Sequence, residues 1–255
     1  GAMTPPLLIT VDVEGVVEAD DYGSVDRLNR LLEVVAAPTT LFVTPAVVRN
    51  RPDTVETWLS GDHHVGLHVH PSRLGGDSDW LASYDRPAID RFLDRGLSVF
   101  TNELGVEPEG FRAGRWSFSA DVLAAVGTAG LSWDASLRPS RGRDPYRTDG
   151  VVEYPMSVYG TGLTERALRS YGIESVPLHA DALTRSRPRS LLLYAATARI
   201  ALSERPYLMV SFHDYDLMDE TVYARIERYL ARLLDWFSAM TVPEVPVGRN
   251  VYSDG

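Results

Sequence analysis

At 255 residues, with 44% hydrophobic and 24% charged residues, the chain has the size and balance of one large globular domain. Cysteine is absent, which excludes disulfides and thiolate ligands, so any metal must be held by His, Asp, Glu and water. The formal net charge is −10 and all 25 basic residues are Arg. That argues against a general nucleic-acid or anionic-membrane surface and excludes Schiff-base or P-loop lysines.

Gly1 to Met3 read as an expression-tag remnant, and LLITV is too short for a signal h-region or a membrane span, so a cytoplasmic location is expected. LLITVDV, bounded by Pro5, Pro6 and Gly15, reads as a buried strand. Ser24 is the expected N-cap of a helix with Leu28, Leu31, Leu32 and Val35 at helical spacing, stopped by Pro38. TTLFVTPAVV reads as a second strand, DTVETWLS as a short helix and HHVGLHVH as a third strand halted by Pro71.

An amphipathic helix is predicted from about Pro87 to Leu104, followed by a short strand at GFRAG and a helix opened by Ser119 and closed by Gly130. LSWDASL is a fifth strand, Arg138 to Thr148 a polar surface loop, and VVEYPMSVYG a sixth strand. Thr164 to Ser203 reads as mostly helix, PYLMVSFHDYDL as a seventh strand and ETVYARIERYLARLLDWFSAM as the strongest helix. Trp58, Trp80 and Trp236 are expected in the core, although interfaces are another use for them. About seven alternations of strand and helix predict parallel strands with helical crossovers, hence a β/α barrel, with a doubly wound sheet as the alternative.

Polar clusters fall at the ends of five of these strands, where such folds build their sites. Alternate residues of a strand share a face, so Asp12 and Glu14 project together, as do His68 and His70. A carboxylate in a buried strand is costly unless ligated or hydrogen-bonded. Two imidazoles and a carboxylate with an open position are the usual ligands of a catalytic zinc, which points to a metal-dependent hydrolase. His63 and His64 start their strand at the opposite end and are assigned to structure, and His179 receives no role. Arg112 is a candidate donor for a carboxylate or oxyanion, and Arg115 and Trp116 follow it. Asp134 and Ser136 share a strand face, and His213 ends an apolar strand as a candidate general acid before Asp214 and Asp216.

In this order the clusters resemble the five motifs of the NodB-homology polysaccharide deacetylases, carbohydrate esterase family four: TVDVEG, GLHVHP, FRAGRW, WDAS and LMVSFH. The resemblance covers nearly the whole chain and implies one catalytic domain over residues 4–255, with a distorted β/α barrel, a (β/α)7-type fold, and one divalent metal. Zinc is expected, with iron, cobalt, manganese or nickel as alternatives. It implies Asp12 as catalytic base and Glu14, His68 and His70 as metal ligands. Arg112 would orient Asp12, Asp134 would tune the acid, and His213 would protonate the leaving group. Arg115, Trp116 and Ser136 are the implied substrate contacts. Val13 occupies the usual ligand position, so Glu14 resembles the ligand of the DxE subgroup. Ser72 stands where the common HxxxH pattern has its second histidine, and His70 is the substitute. The implied activity is removal of an N-acetyl or N-formyl group from an amino sugar or related small metabolite, or hydrolysis of a non-sugar amide or cyclic imide. A non-catalytic binder and a non-haem iron centre remain as competing classes.

Overall fold

The computed structural model describes residues 4–16, 21–138, 144–159, 176–177, 193–195, 197–198 and 205–247. The run LLITVDV forms β1 (Leu7–Val13), buried along its whole length as a parallel strand covered on both faces must be. Helix α1 (Gly23–Val35) follows and buries Val25, Leu28, Leu31 and Leu32. Ser24 does not cap it; the serine lies inside the first turn and its hydroxyl donates to Asp214 Oδ2 at 2.7 Å.

The second strand, β2 (Thr39–Val43), is shorter than TTLFVTPAVV predicts. Pro45 has the φ of a first helical residue and turns the rest into α2 (Pro45–Asn50), after which Pro52 opens α3 (Pro52–Ser60). Next come β3 (His64–Val69) and the long α4 (Arg86–Leu104), capped by the Asp85 carboxylate on Ala88 N at 2.9 Å. Strand β4 (Gly110–Ala113) is followed by α5 (Ala120–Thr128), which Ser119 caps through Val122 N at 3.1 Å.

Strand β5 is only Trp133–Asp134. The end of the expected polar loop pairs as β6 (Tyr146–Thr148), antiparallel to β7 (Val151–Glu153) through a tight turn at Asp149 and Gly150. VVEYPMSVYG is thus not one strand. Pro155 cannot donate to a ladder, and β8 (Val158–Tyr159) pairs with β9 (Val176–Pro177) in a separate sheet. Strand β10 (Leu208–His213) and helix α6 (Glu220–Leu234) follow. Most of Thr164 to Ser203, including His179, lies outside the described residues.

The main sheet runs β10-β1-β2-β3-β4-β5-β7-β6, parallel except for β6, and curls into a partly closed barrel. Between β7 and β10 side chains bridge the opening: Tyr207 donates to Pro155 O at 2.6 Å and Met209 N donates to Ser157 Oγ at 2.9 Å. Trp133 plugs the base of the barrel, edge-on to Phe42 and Tyr154 and beside His64. A Cβ on Gly110 would lie 1.9 Å from the Trp133 ring, so the plug requires glycine there. Trp58 is buried as expected, but Trp80 and Trp236 are exposed, at 54% and 70%. Trp80 directly precedes the 3₁₀ segment Leu81–Ser83 and Trp236 lies in the turn after α6, where no strand or helix period controls the direction of a side chain. No helix among the described residues is long and apolar enough to cross a membrane.

Candidate active site

Parallel register carries the motif residues to one end of the sheet. Asp12 pairs with His213, His68 with Arg112, and Asp134 with Glu153. Glu14 lies just beyond β1, where Asp214 accepts hydrogen bonds from Glu14 N at 2.8 Å and Gly15 N at 3.0 Å. The cleft above, of about 670 Å³, is lined by Asp12, Glu14, His68, His70, Arg73, Asp79, Arg115, Trp116, His213 and Tyr215, with Ser72 at its edge.

Arg112 is fully buried and organises the floor. It donates to Asp12 Oδ1 at 2.8 Å, Thr10 Oγ1 at 3.0 Å and the Ala135 carbonyl at 3.0 Å, between the rings of Phe42 and Trp116. Burial alone would raise the Asp12 carboxyl; Arg112, aided by His68 and His213, outweighs it and holds the group below the usual carboxylate range. Asp12 is therefore a carboxylate with Oδ2 directed to His213 Nε2, 4.0 Å away.

Glu14, His68 and His70 are all buried, and one donor atom from each lies within 4.8 Å of the others. His68 Nδ1 lies 2.7 Å from the Arg112 carbonyl oxygen, which can only accept, so this nitrogen carries the proton. Its Nε2 then presents a lone pair, has no hydrogen-bond partner among the described residues, and faces Glu14 Oε1 at 3.5 Å. His70 Nε2 lies 3.2 Å from the same oxygen, while Arg73 occupies Glu14 Oε2 at 2.7 Å. Lone pairs gathered in a buried space call for a cation, and this nitrogen-and-oxygen donor set fits a divalent metal such as zinc. Burial raises the Glu14 carboxyl, but hydrogen bonds and charge from His68 and His70, when their rings are protonated, hold it far below its usual range.

His213 stacks on Tyr215 at 4.5 Å, with Nδ1 3.5 Å from Asp216 Oδ2. Burial opposes its charging, yet Asp216, Asp12 and Glu14 together bring the imidazole up to about 9. The carboxylate at its Nδ1 is therefore Asp216, in place of the expected Asp134. Asp134 is enclosed beneath the cleft, accepting from Ser136 and set against Glu153. Ser136 is likewise fully buried, its hydroxyl shared between Ala113 N at 2.8 Å and Asp134 at 2.5 Å, so it does not reach the cleft as a substrate contact would. A strand-face pattern cannot tell a residue one layer down from one at the rim.

Arg115 and Trp116 do line the cleft, and both adopt left-handed backbone angles, φ 55° each, a strain that non-glycine residues tolerate only where surroundings fix it. Arg115 Nε donates to Asp79 at 3.1 Å. Asp79 and Arg73 carry no motif and were not singled out from the sequence. For Asp214 and Asp216 the signal was present, as acids directly after a strand-end histidine.

No protein-family profile matches the sequence, and no curated protein matches it. Solved structures do match. A Mycobacterium smegmatis protein assigned to the polysaccharide deacetylases is 16% identical, with a TM-score of 0.67 over 100% of this chain and 96% of that one. PuuE allantoinase gives 0.71 at 12% identity over 96% and 90% of the two chains. The family 4 carbohydrate esterase of Streptomyces lividans, solved with acetate, gives 0.60 at 15% identity over 99% and 100%. A family 4 pseudoenzyme from Bacillus anthracis matches at 0.57 with 12% identity over 96% and 66%. The fold is the NodB-type (β/α) barrel of the polysaccharide deacetylases and carbohydrate esterase family four.

Proposed function

We propose that this chain is a metal-dependent hydrolase of that superfamily, releasing an acetyl or formyl group from the nitrogen of an amino sugar or a related small metabolite. The observation that carries this reading is the trio of Glu14, His68 and His70, with the unsatisfied His68 Nε2, set between a carboxylate fixed by arginine and a strand-end histidine. Glu14, His68 and His70 would hold the metal. When bound it would polarise the acyl oxygen and acidify water.

The chain's own groups supply the proton transfers. Asp12 keeps Oδ1 on Arg112 and takes the proton of the attacking water on Oδ2. His213, turned by Asp216 and Tyr215 so that Nε2 faces the cleft, gives a proton to the departing amine. Trp116 and Arg115 form the wall along which the substrate lies. A cleft of this volume suits a small molecule.

The test is acetate or formate release from a panel of N-acylated amino sugars by zinc-loaded protein. Asp12→Asn and His213→Ala are each expected to lower kcat by roughly 10²–10⁴-fold. Wild-type protein that carries zinc yet turns over nothing in the panel overturns the sugar reading. Full turnover in either variant removes that residue from the mechanism. Hydrolysis of a non-sugar amide is the second reading, supported by the likeness to an allantoinase, and the same panel with cyclic ureides and imides decides between them.

A further inference from the structure

We propose that Asp79, steadied by Ser72, is a positioning residue that fixes His70 with Nε2 toward the metal. This rests on the metal-site reading above and deepens it. A ligating imidazole normally donates its other N–H to a carboxylate or carbonyl, which sets tautomer and ring orientation. His68 has such an anchor in the Arg112 carbonyl. For His70 the facing group is Asp79, with Oδ2 3.4 Å from Nδ1.

Asp79 does not hang free in its loop. Ser72 Oγ donates to its Oδ1, and Arg115 Nε donates to its Oδ2 at 3.1 Å. Ser72 is the residue at the position where the HxxxH pattern has its second histidine. In this chain the backbone turns at Pro71 into a short 3₁₀ segment, Pro71–Leu74, and the serine side chain points to Asp79. The ligand has moved to His70 on the strand face, and the vacated position supports that ligand through an aspartate. Asp79 is partly exposed on a loop and its pairing with Arg115 is a surface one, so its removal costs the fold little.

The experiment measures zinc affinity by competition with a chromophoric chelator, for wild type, Asp79→Ala, Asp79→Asn and Ser72→Ala, beside thermal unfolding of each metal-free protein. Asp79→Ala is expected to bind zinc about 10–100-fold more weakly. Asp79→Asn, whose side-chain oxygen can accept from Nδ1–H, loses less, as does Ser72→Ala, and the metal-free proteins unfold together. Zinc binding by Asp79→Ala at wild-type strength overturns the proposal alone. So does a loss of affinity in Asp79→Ala matched by an equal loss of metal-free stability. Absence of zinc binding by the wild type overturns the metal site itself, and the role of Asp79 with it.

Discussion

The residue that most tightly constrains the site is Gly114, which binds nothing. A Cβ there would sit 2.5 Å from His70 Cε1, 2.6 Å from Nδ1 and 2.7 Å from Nε2, so the imidazole fills the space a side chain would need. The backbone cannot retreat easily, because Arg115 and Trp116 next to it are held in left-handed conformations and Trp116 lies over Arg112. Gly114→Ala should therefore fold but tilt His70, weakening zinc binding by about tenfold or more, read by chelator competition. Unchanged affinity would show that His70 is not a ligand. The histidines were legible because strand alternation sets His68 and His70 on one face. Gly114 was not, since its demand comes from a ring 44 positions away in sequence, and Asp79 was not, since a loop has no period to direct a side chain.

Between elements, β5 and β7 place two acids, Asp134 and Glu153, side by side beneath the cleft. Both are fully buried, and burial pushes both carboxyls up; the Asp134 charge drives Glu153 further, well above its usual range, while a hydrogen bond from Glu153 partly offsets the rise at Asp134. The folded pair thus keeps a proton that the unfolded chain has released. Stability from this pair is present at low pH and is lost as pH rises from the ordinary carboxylate range through the raised folded values. Glu153→Gln keeps the oxygen that accepts from Leu137 N and gives Asp134 a donor. The variant should equal wild type near pH 4 and exceed it at higher pH by on the order of 1 kcal/mol, about 2–4 °C in Tm. A constant or reversed difference across pH would show that no proton is held there. The sequence points to Asp134 as the residue tuning the acid, but nothing in it shows Asp134 as half of this buried pair. Strands of two and three residues carry no alternation by which their register can be read.

Across the whole molecule, the alternation of apolar runs made the parallel barrel legible, because each buried strand and each amphipathic helix announces its own period. Among the described residues, the contacts between β7 and β10 include those of single side chains, Tyr207 and Ser157, and no period marks them. The proposed metal ligands would use that architecture as a clamp: Glu14 leaves the end of β1 and His68 lies on β3, with β2 between. Separated by more than 50 residues in sequence, they meet only in the folded chain, so on the proposed reading zinc would bind the native state in preference to the unfolded one. At free zinc near 100 times Kd the linkage is worth about 2.7 kcal/mol, which for a chain of this size raises Tm by roughly 5–10 °C. A surface with net charge −10 also attracts divalent ions loosely, and that contribution would survive loss of a ligand. Thermal unfolding with zinc, with zinc plus EDTA, and with His70→Ala separates the two. The rise should vanish with EDTA and be absent from the variant, whereas an equal rise in His70→Ala would assign the effect to the acidic surface and leave the three residues without a metal.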